Sequence, residues 1–167
     1  NKDDLKLAEK IILPGVGSFD YAMNKLEKSG MREFLDELVL DMKIPILGIC
    51  VGMQMMAKSS EEGQREGLGW IDAEVKKFEQ NLDKLKIQSE NRNLIGKNKH
   101  LALPHMGWNN LEIIQQNKIF NKINNPNFYF LHSFYFKTQN QDYVLAETNY
   151  SIKFCSIFKK DNIYGVQ

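Results

Sequence analysis

The chain has 167 residues, of which 43% are hydrophobic and 26% are charged, a composition typical of one soluble globular domain. Its net charge is only +1, from 22 basic and 21 acidic residues, and this balance argues against a nucleic acid as partner. No apolar run approaches the roughly 20 residues that a membrane-spanning helix needs, so the sequence does not predict a membrane protein.

The first third of the chain alternates between short apolar strands and helices. A strand over 10–13 ends at the turn Pro14 to Gly17, whose glycines leave its backbone open to a ligand. Helices are expected over about 18–28 and 31–43, followed by a buried strand over 44–49. This alternation predicts an α/β fold with a parallel sheet covered by helices. The apolar residues of the second helix lie at helical spacing and are expected in the core: Phe34, Leu35, Leu38, Val39 and Met42.

The second half of the chain is rich in β-strand signals, with one short helix expected near 117–124. The segment 79–100 is polar and irregular, and it is expected to be an exposed hairpin or loop without a function of its own. From residue 72 onwards, strands are predicted over 72–78, 127–136, 144–148, 152–159 and 163–167.

The pattern Gly48-x-Cys50-x-Gly52 falls where the second strand meets an apolar helix. This is the arrangement of a nucleophile elbow, with a cysteine in place of the usual serine. The first N–H groups of the helix would favour the thiolate and could hold an oxyanion. The alternative is a buried structural cysteine, which is common, but the paired glycines at a strand–helix junction favour the nucleophile.

Cys50 and Cys155 are too few for a disulfide framework or a four-cysteine zinc site, and they indicate a reducing cytoplasm. A cysteine nucleophile needs a base to take its proton. The three histidines, His100, His105 and His132, are the candidates, and spacing alone does not choose among them.

The stretch Gly48 to Gln54, with Leu13 to Gly17 upstream, resembles the class I (triad) glutamine amidotransferases. The segments Pro104 to Asn109 and Leu131 to Ser133 are similar to the glutaminase subunit of imidazole glycerol phosphate synthase, the HisH family. The resemblance covers nearly all of the chain from residue 11 onwards, apart from the long polar segment 79–100. It implies a flavodoxin-like α/β fold with a central, mostly parallel sheet, flanking helices and a β-rich second half.

The resemblance also implies a mechanism, in which Cys50 attacks the side-chain amide of glutamine and releases ammonia. Water then hydrolyses the glutamyl thioester to glutamate. The backbone of Val51, Val16 and Gly17 would stabilise the tetrahedral oxyanion, and no metal or other cofactor is implied. The residues expected to bind glutamine are Gly15, Gln54, Glu62, His132, Ser133 and Phe134.

The family's partner is a cyclase subunit with a (β/α)8 barrel, with which the glutaminase forms a cytoplasmic heterodimer. There the ammonia contributes to the synthesis of imidazole glycerol phosphate and AICAR in histidine biosynthesis. Five residues of one Gly- and Pro-bounded turn are expected at this interface: Pro104, His105, Met106, Trp108 and Asn109.

One departure from the family pattern concerns the catalytic base. The family has a His-Pro-Glu segment just after a Gly-Val-Gln-Phe strand, whereas this sequence stops at Gln167 and contains no His-x-Glu. We therefore expect a single glutamine amidotransferase type 1 domain over residues 1–167, incomplete at both ends. We also expect these 167 residues to lack normal glutaminase turnover.

Three other functions remain open from the sequence. A paralogue of the glutaminase subunit could supply ammonia for the amidation of a surface or nucleotide-linked sugar. A non-catalytic protein could have kept the fold for partner binding, although the intact elbow and glycine turn argue against it. A cysteine hydrolase of the same fold type, such as a peptidase, is the third.

Overall fold

The computed structural model describes residues 2–80 and 101–167 of the chain. The helices of the described residues lie in the first third of the chain. They are α1 (Lys2–Lys6), α2 (Phe19–Ser29), α3 (Arg32–Asp36) and α4 (Val51–Met55), with a π-helical turn (Glu37–Asp41) that continues α3. No helix of these described ranges is both long and apolar enough to cross a membrane.

The strands begin between α1 and α2 and dominate the second half. They are β1 (Ile11–Gly15), β2 (Ile46–Cys50), β3 (Ser59–Ser60), β4 (Ala73–Lys77), β5 (His105–Asn110), β6 (Glu112–Ile113), β7 (Asn127–His132), β8 (Phe134–Thr138), β9 (Val144–Tyr150), β10 (Ile152–Lys160) and β11 (Ile163–Val166). Among the described residues, two 3₁₀ turns lie between these strands: Lys118–Phe120 and Gln141–Tyr143.

The main sheet has the strand order β1-β2-β11-β10-β8-β4-β3, and β9 pairs with β10 and β6. The strands β1, β2 and β11 are parallel to one another, whereas β10 pairs antiparallel with β11, β8 and β9. In the parallel part Gly15 lies opposite Cys50. The glycine turn and the cysteine therefore both lie at the carboxyl ends of parallel strands, where α/β folds place their ligand sites.

The core lies between the parallel strands and the helices. Its most deeply buried side chains include Phe19, Met23, Leu38, Ile46, Met53, Met56, Phe136 and Phe158. Two smaller apolar clusters lie under the β-rich half, around Phe154 and around Ile157. The predicted α/β architecture with a β-rich second half is confirmed.

The structure differs from expectation in the second predicted helix. Leu35, Leu38 and Val39 are buried as expected, but Met42 is exposed. The chain there follows a π-helical turn, in which the N–H of Met42 bonds to the carbonyl oxygen of Glu37 at 3.0 Å. This wider turn changes the angular position of the residues that follow, so that Met42 leaves the apolar face.

Two further expectations are corrected in the second half. The single strand predicted over 127–136 is broken at Ser133: β7 pairs with β5 in a separate two-stranded ribbon, whereas β8 joins the main sheet. The helix predicted near 117–124 is reduced to a 3₁₀ turn, which the side chain of Asn117 begins by accepting the N–H of Ile119. The predicted exposed hairpin at 79–100 lies, from residue 81 onwards, outside the described residues, as does His100.

Candidate active site

The backbone at Cys50 has the geometry of an elbow. Cys50 ends β2 and immediately precedes α4, with φ 54° and ψ −115°, a conformation that is strained for a residue with a Cβ. A Cβ at Gly52 would overlap the carbonyl oxygen of Leu13, and a Cβ at Gly48 would lie 2.8 Å from the carbonyl oxygen of Gly52. Both flanking glycines are therefore required by the close approach of backbone to backbone.

A cavity of about 590 Å³ opens beside the thiol. This volume lies within the usual range for small-ligand sites. Every residue predicted to bind glutamine or to hold the oxyanion lines it: Gly15, Val16, Gly17, Val51, Gln54, Glu62, His132, Ser133 and Phe134. Sequence reasoning missed four more lining residues or assigned them elsewhere: Pro14, Ile49, Pro104 and Leu131.

The thiol is linked to the pocket wall by two amide side chains. The Nε2 of Gln167 donates to the sulfur of Cys50 at 3.7 Å, and the Nε2 of Gln54 donates to the Oε1 of Gln167 at 3.0 Å. Gln54 is buried and also donates to the carbonyl oxygen of Phe134 at 3.4 Å. Gln167 was not predicted to belong to the site, because it lies 117 residues from Cys50 in the chain.

The acidity of the thiol runs against the expectation from sequence. Burial raises the pKa of Cys50, the hydrogen bond from the N–H of Val51 lowers it, and the negative charge of Glu62 raises it. The net shift is upwards, so this site does not favour the thiolate. The helix that follows has only five residues and offers a weaker dipole than the sequence suggested.

Glu62 is held at the pocket by contacts with the beginning of α2. One of its carboxylate oxygens accepts the backbone N–H of Phe19 at 2.8 Å. Nearby, the carboxylate of Asp20 accepts the N–H groups of Gln64 and Arg65, both at 3.1 Å, and these bonds lower the pKa of Asp20. The beginning of α2 therefore holds both the carboxylate of Glu62 and the backbone that follows it.

The two described histidines form a buried pair. The Nδ1 of His132 lies 2.7 Å from the carbonyl oxygen of Phe134, and its Nε2 lies 3.1 Å from the Nδ1 of His105. The Nε2 of His105 in turn lies 3.2 Å from the amide nitrogen of Asn109. Burial lowers the pKa of each histidine to about 4, helped at His105 by its neighbour. Both rings are therefore neutral at pH 7, and neither nitrogen of His132 is free to accept a proton from Cys50.

The ribbon of β5 and β7 has one exposed and one buried face. Met106 lies opposite Leu131, and Trp108 lies opposite Tyr129, with the two rings edge-to-face at 5.8 Å. These four side chains form an apolar patch, in which Trp108 is 71% exposed and Met106 is 60% exposed. Exposed apolar patches of this kind are typical of protein interfaces.

The five residues predicted at a partner interface are divided between the ribbon's two faces and the pocket. Only Met106 and Trp108 present their side chains on the exposed apolar patch. His105 is 3% exposed and lies on the buried face, Asn109 bonds to His105 from that face, and Pro104 lines the pocket.

The known proteins that this chain resembles agree with the chemistry of the site. The family model of class I glutamine amidotransferases matches residues 2–167. The chain is 48% identical over 166 residues to the imidazole glycerol phosphate synthase subunit HisH of Bdellovibrio bacteriovorus, covering 99% of this chain and 74% of that protein. It is 46% identical to the HisH subunit of Leptospira interrogans, covering 99% of this chain and 75% of the relative.

Solved structures give the same fold. A crystal structure of a glutamine amidotransferase superposes with a TM-score of 0.66 at 15% identity, covering 99% of this chain and 72% of the other. A glutamine amidotransferase from Thermotoga maritima has a TM-score of 0.59 at 20% identity, covering 94% of this chain and 53% of the other. The chain belongs to the class I glutamine amidotransferase family and, within it, to the family of HisH subunits of imidazole glycerol phosphate synthase.

Proposed function

We propose that this chain is a glutaminase subunit that hydrolyses glutamine to glutamate and ammonia through a thioester on Cys50. The observation that carries the proposal is the strained elbow of Cys50, which opens into the same pocket as the turn Pro14 to Gly17. The ammonia passes to a (β/α)8 cyclase subunit in a cytoplasmic heterodimer, which makes imidazole glycerol phosphate and AICAR in histidine biosynthesis. The likeness to HisH subunits supports this choice of acceptor.

In the first step the sulfur of Cys50 attacks the side-chain carbonyl carbon of glutamine, and the carbonyl oxygen becomes an oxyanion. The N–H of Val51 and the backbone of Val16 and Gly17 stabilise this charge. The C–N bond then breaks, the nitrogen leaves as ammonia with the proton of the thiol, and a glutamyl thioester remains. Water hydrolyses the thioester, which returns the thiol and releases glutamate.

The polar side chains of the pocket divide the recognition of glutamine between them. The carboxylate of Glu62 is the described acidic group of the pocket lining and is suited to the substrate's α-ammonium group. Gln54 and the backbone from His132 to Phe134 lie on other parts of the lining and offer amide and carbonyl groups. Gly15 lets the turn pack against the elbow, because a Cβ there would lie 2.7 Å from that of Val51.

Sustained turnover needs a base as well as a nucleophile. Among the described residues, the side-chain partner of the Cys50 sulfur is the amide of Gln167, which cannot take up a proton near neutral pH. His132 lines the pocket, but its two nitrogens are engaged by Phe134 and His105. We infer that the described residues supply the nucleophile, the oxyanion turn and the substrate pocket, but not the base that a normal rate of glutamine turnover needs.

The test is covalent labelling by 6-diazo-5-oxonorleucine, an electrophilic analogue of glutamine, with the modified residue located by mass spectrometry. We expect one label, on Cys50, which free glutamine suppresses and which Cys50→Ala abolishes. Cys155 is an internal control, because burial and the nearby charge of Glu147 hold its pKa far above the usual range. Labelling that glutamine does not suppress would contradict a glutamine site and favour a cysteine hydrolase of another specificity.

A further inference from the structure

We propose that His105 and His132 are positioning residues of the glutamine pocket: their hydrogen bonds run in one direction, from Asn109 to the carbonyl oxygen of Phe134, and fix the carbonyl group to which Gln54 donates. This role rests on the proposed function, since it concerns the same pocket. The two residues face each other in the β5–β7 pairing, although 27 residues separate them in the chain.

The direction of this series of hydrogen bonds follows from its last acceptor, the carbonyl oxygen of Phe134. A carbonyl oxygen can only accept, so the Nδ1 of His132 carries the proton that points at Phe134. In a neutral ring the Nε2 of His132 is then an acceptor, and the Nδ1 of His105 must donate to it. The Nε2 of His105 is left as the acceptor for the amide of Asn109, which also donates to the carbonyl oxygen of Asn149 at 3.1 Å. One tautomer of each histidine satisfies every contact.

Aromatic rings confine both imidazoles in this arrangement. His105 is stacked between Phe130, at 4.9 Å between ring centroids, and Tyr150, at 3.9 Å. His132 contacts Phe154 at 5.2 Å and Phe78 at 5.5 Å. A packed interior limits the movement of its side chains, so neither ring can turn over without displacing its neighbours.

The series of hydrogen bonds ends at Phe134, a residue that lines the pocket. The carbonyl oxygen of Phe134 accepts both from His132 and from Gln54, and Gln54 reaches Cys50 through Gln167. A shift of this carbonyl is therefore passed to the thiol through two amide side chains. Apolar residues of the same size would fill the space without the desolvation cost of two imidazoles, so a directional role accounts for the polar atoms better than packing does.

Two matched variants test the two hydrogen bonds of His132 separately, the one that Nδ1 donates to Phe134 and the one that Nε2 accepts from His105. In His132→Asn the amide nitrogen can occupy the place of Nδ1 and still donate to Phe134. In His132→Gln the amide reaches the place of Nε2 and keeps the contact with His105, but the donor to Phe134 is lost. Both variants lose one hydrogen bond and the ring's aromatic contacts, so a purely structural role predicts equal losses.

The readout is labelling of Cys50 by 6-diazo-5-oxonorleucine, resolved into the affinity constant KI and the maximal rate kinact, beside the melting temperature. We expect His132→Gln to raise KI by about tenfold, the equivalent of one lost hydrogen bond. We expect His132→Asn to raise KI by less than His132→Gln does, even if both variants melt at a similar, lower temperature. Equal KI values for the two variants would overturn the proposal.

A measurement on the unsubstituted chain tests the same inference without a variant. Nitrogen NMR of the histidine rings at pH 7 is expected to show both buried histidines protonated at Nδ1 and bare at Nε2. An Nε2-protonated form of either would overturn the proposed direction. If the unsubstituted chain is not labelled, or glutamine does not suppress its labelling, the proposed function fails and the positioning role fails with it; if labelling is glutamine-sensitive but KI is the same in both variants, only the positioning role fails.

Discussion

Mild acid is expected to destabilise this fold through the buried histidine pair. The pKa of His105 and of His132 falls from 6.5 to about 4 on folding, mainly because burial disfavours the charged ring. Between these values the unfolded chain binds protons that the folded chain does not, so stability is full above pH 6.5 and is lost as the pH falls towards 4. For a single histidine with this pKa shift, the free energy of unfolding falls by about 2 kcal/mol between pH 7 and pH 5.

The assay is urea unfolding at pH 7, 6 and 5, with the double variant His105→Phe/His132→Asn as the control. In the control, Phe keeps the stack on Phe130 and Tyr150, and Asn keeps the donor to Phe134, but neither side chain titrates. All other ionisable groups are common to both proteins, so the difference between the two slopes belongs to the pair. Between pH 7 and pH 5 the free energy of unfolding should fall by at least about 2 kcal/mol more in the unsubstituted chain than in the control. Equal losses would refute the argument.

Three substitutions test other parts of the site. Gly52→Ala puts a methyl group against the carbonyl oxygen of Leu13 and is expected to cost on the order of 3 kcal/mol in urea unfolding; an unchanged midpoint would show that the elbow relaxes freely. Glu62→Gln removes the negative charge that raises the pKa of Cys50, so iodoacetamide should alkylate the variant faster at pH 7; a slower reaction would mean that the charge helps the thiolate. Trp108→Ala should change stability by no more than about 0.5 kcal/mol but weaken binding to the proposed cyclase subunit by about 2 kcal/mol, measured by calorimetry; unaltered binding would mean that the exposed patch is not part of the proposed interface.

The parts of the site that sequence reasoning reached are those encoded locally. Gly48 and Gly52 flank Cys50 within one turn, and Pro14 to Gly17 follow a short apolar strand. The elbow and the glycine turn can therefore be predicted without knowing the fold. Their meeting needs only one further assumption, that the two strands are parallel neighbours. The register of Gly15 opposite Cys50 has that arrangement.

The parts that sequence reasoning missed depend on distant pairings. The aromatic run 127–136 has an unbroken strand signal, and only its competing partners, β5 on one side and β4 with β10 on the other, divide it at Ser133. The pairing of His105 with His132 follows from the β5–β7 register. The approach of Gln167 to Cys50 follows from the pairing of β11 with β2, in which Val166 lies opposite Ile49. The raised pKa of the thiol likewise depends on how much of the assembled structure covers it, which no local motif records.

The two faces of the β5–β7 ribbon make one structural unit out of features that look separate in the sequence. Its outer face carries Trp108 and Met106, while its inner face carries the histidine pair that ends at the pocket wall. Leu131 belongs to both regions, since it is 57% exposed and also lines the cavity beside Cys50. A partner that contacts Leu131 on the outer face would therefore touch a residue that also lines the cavity beside Cys50.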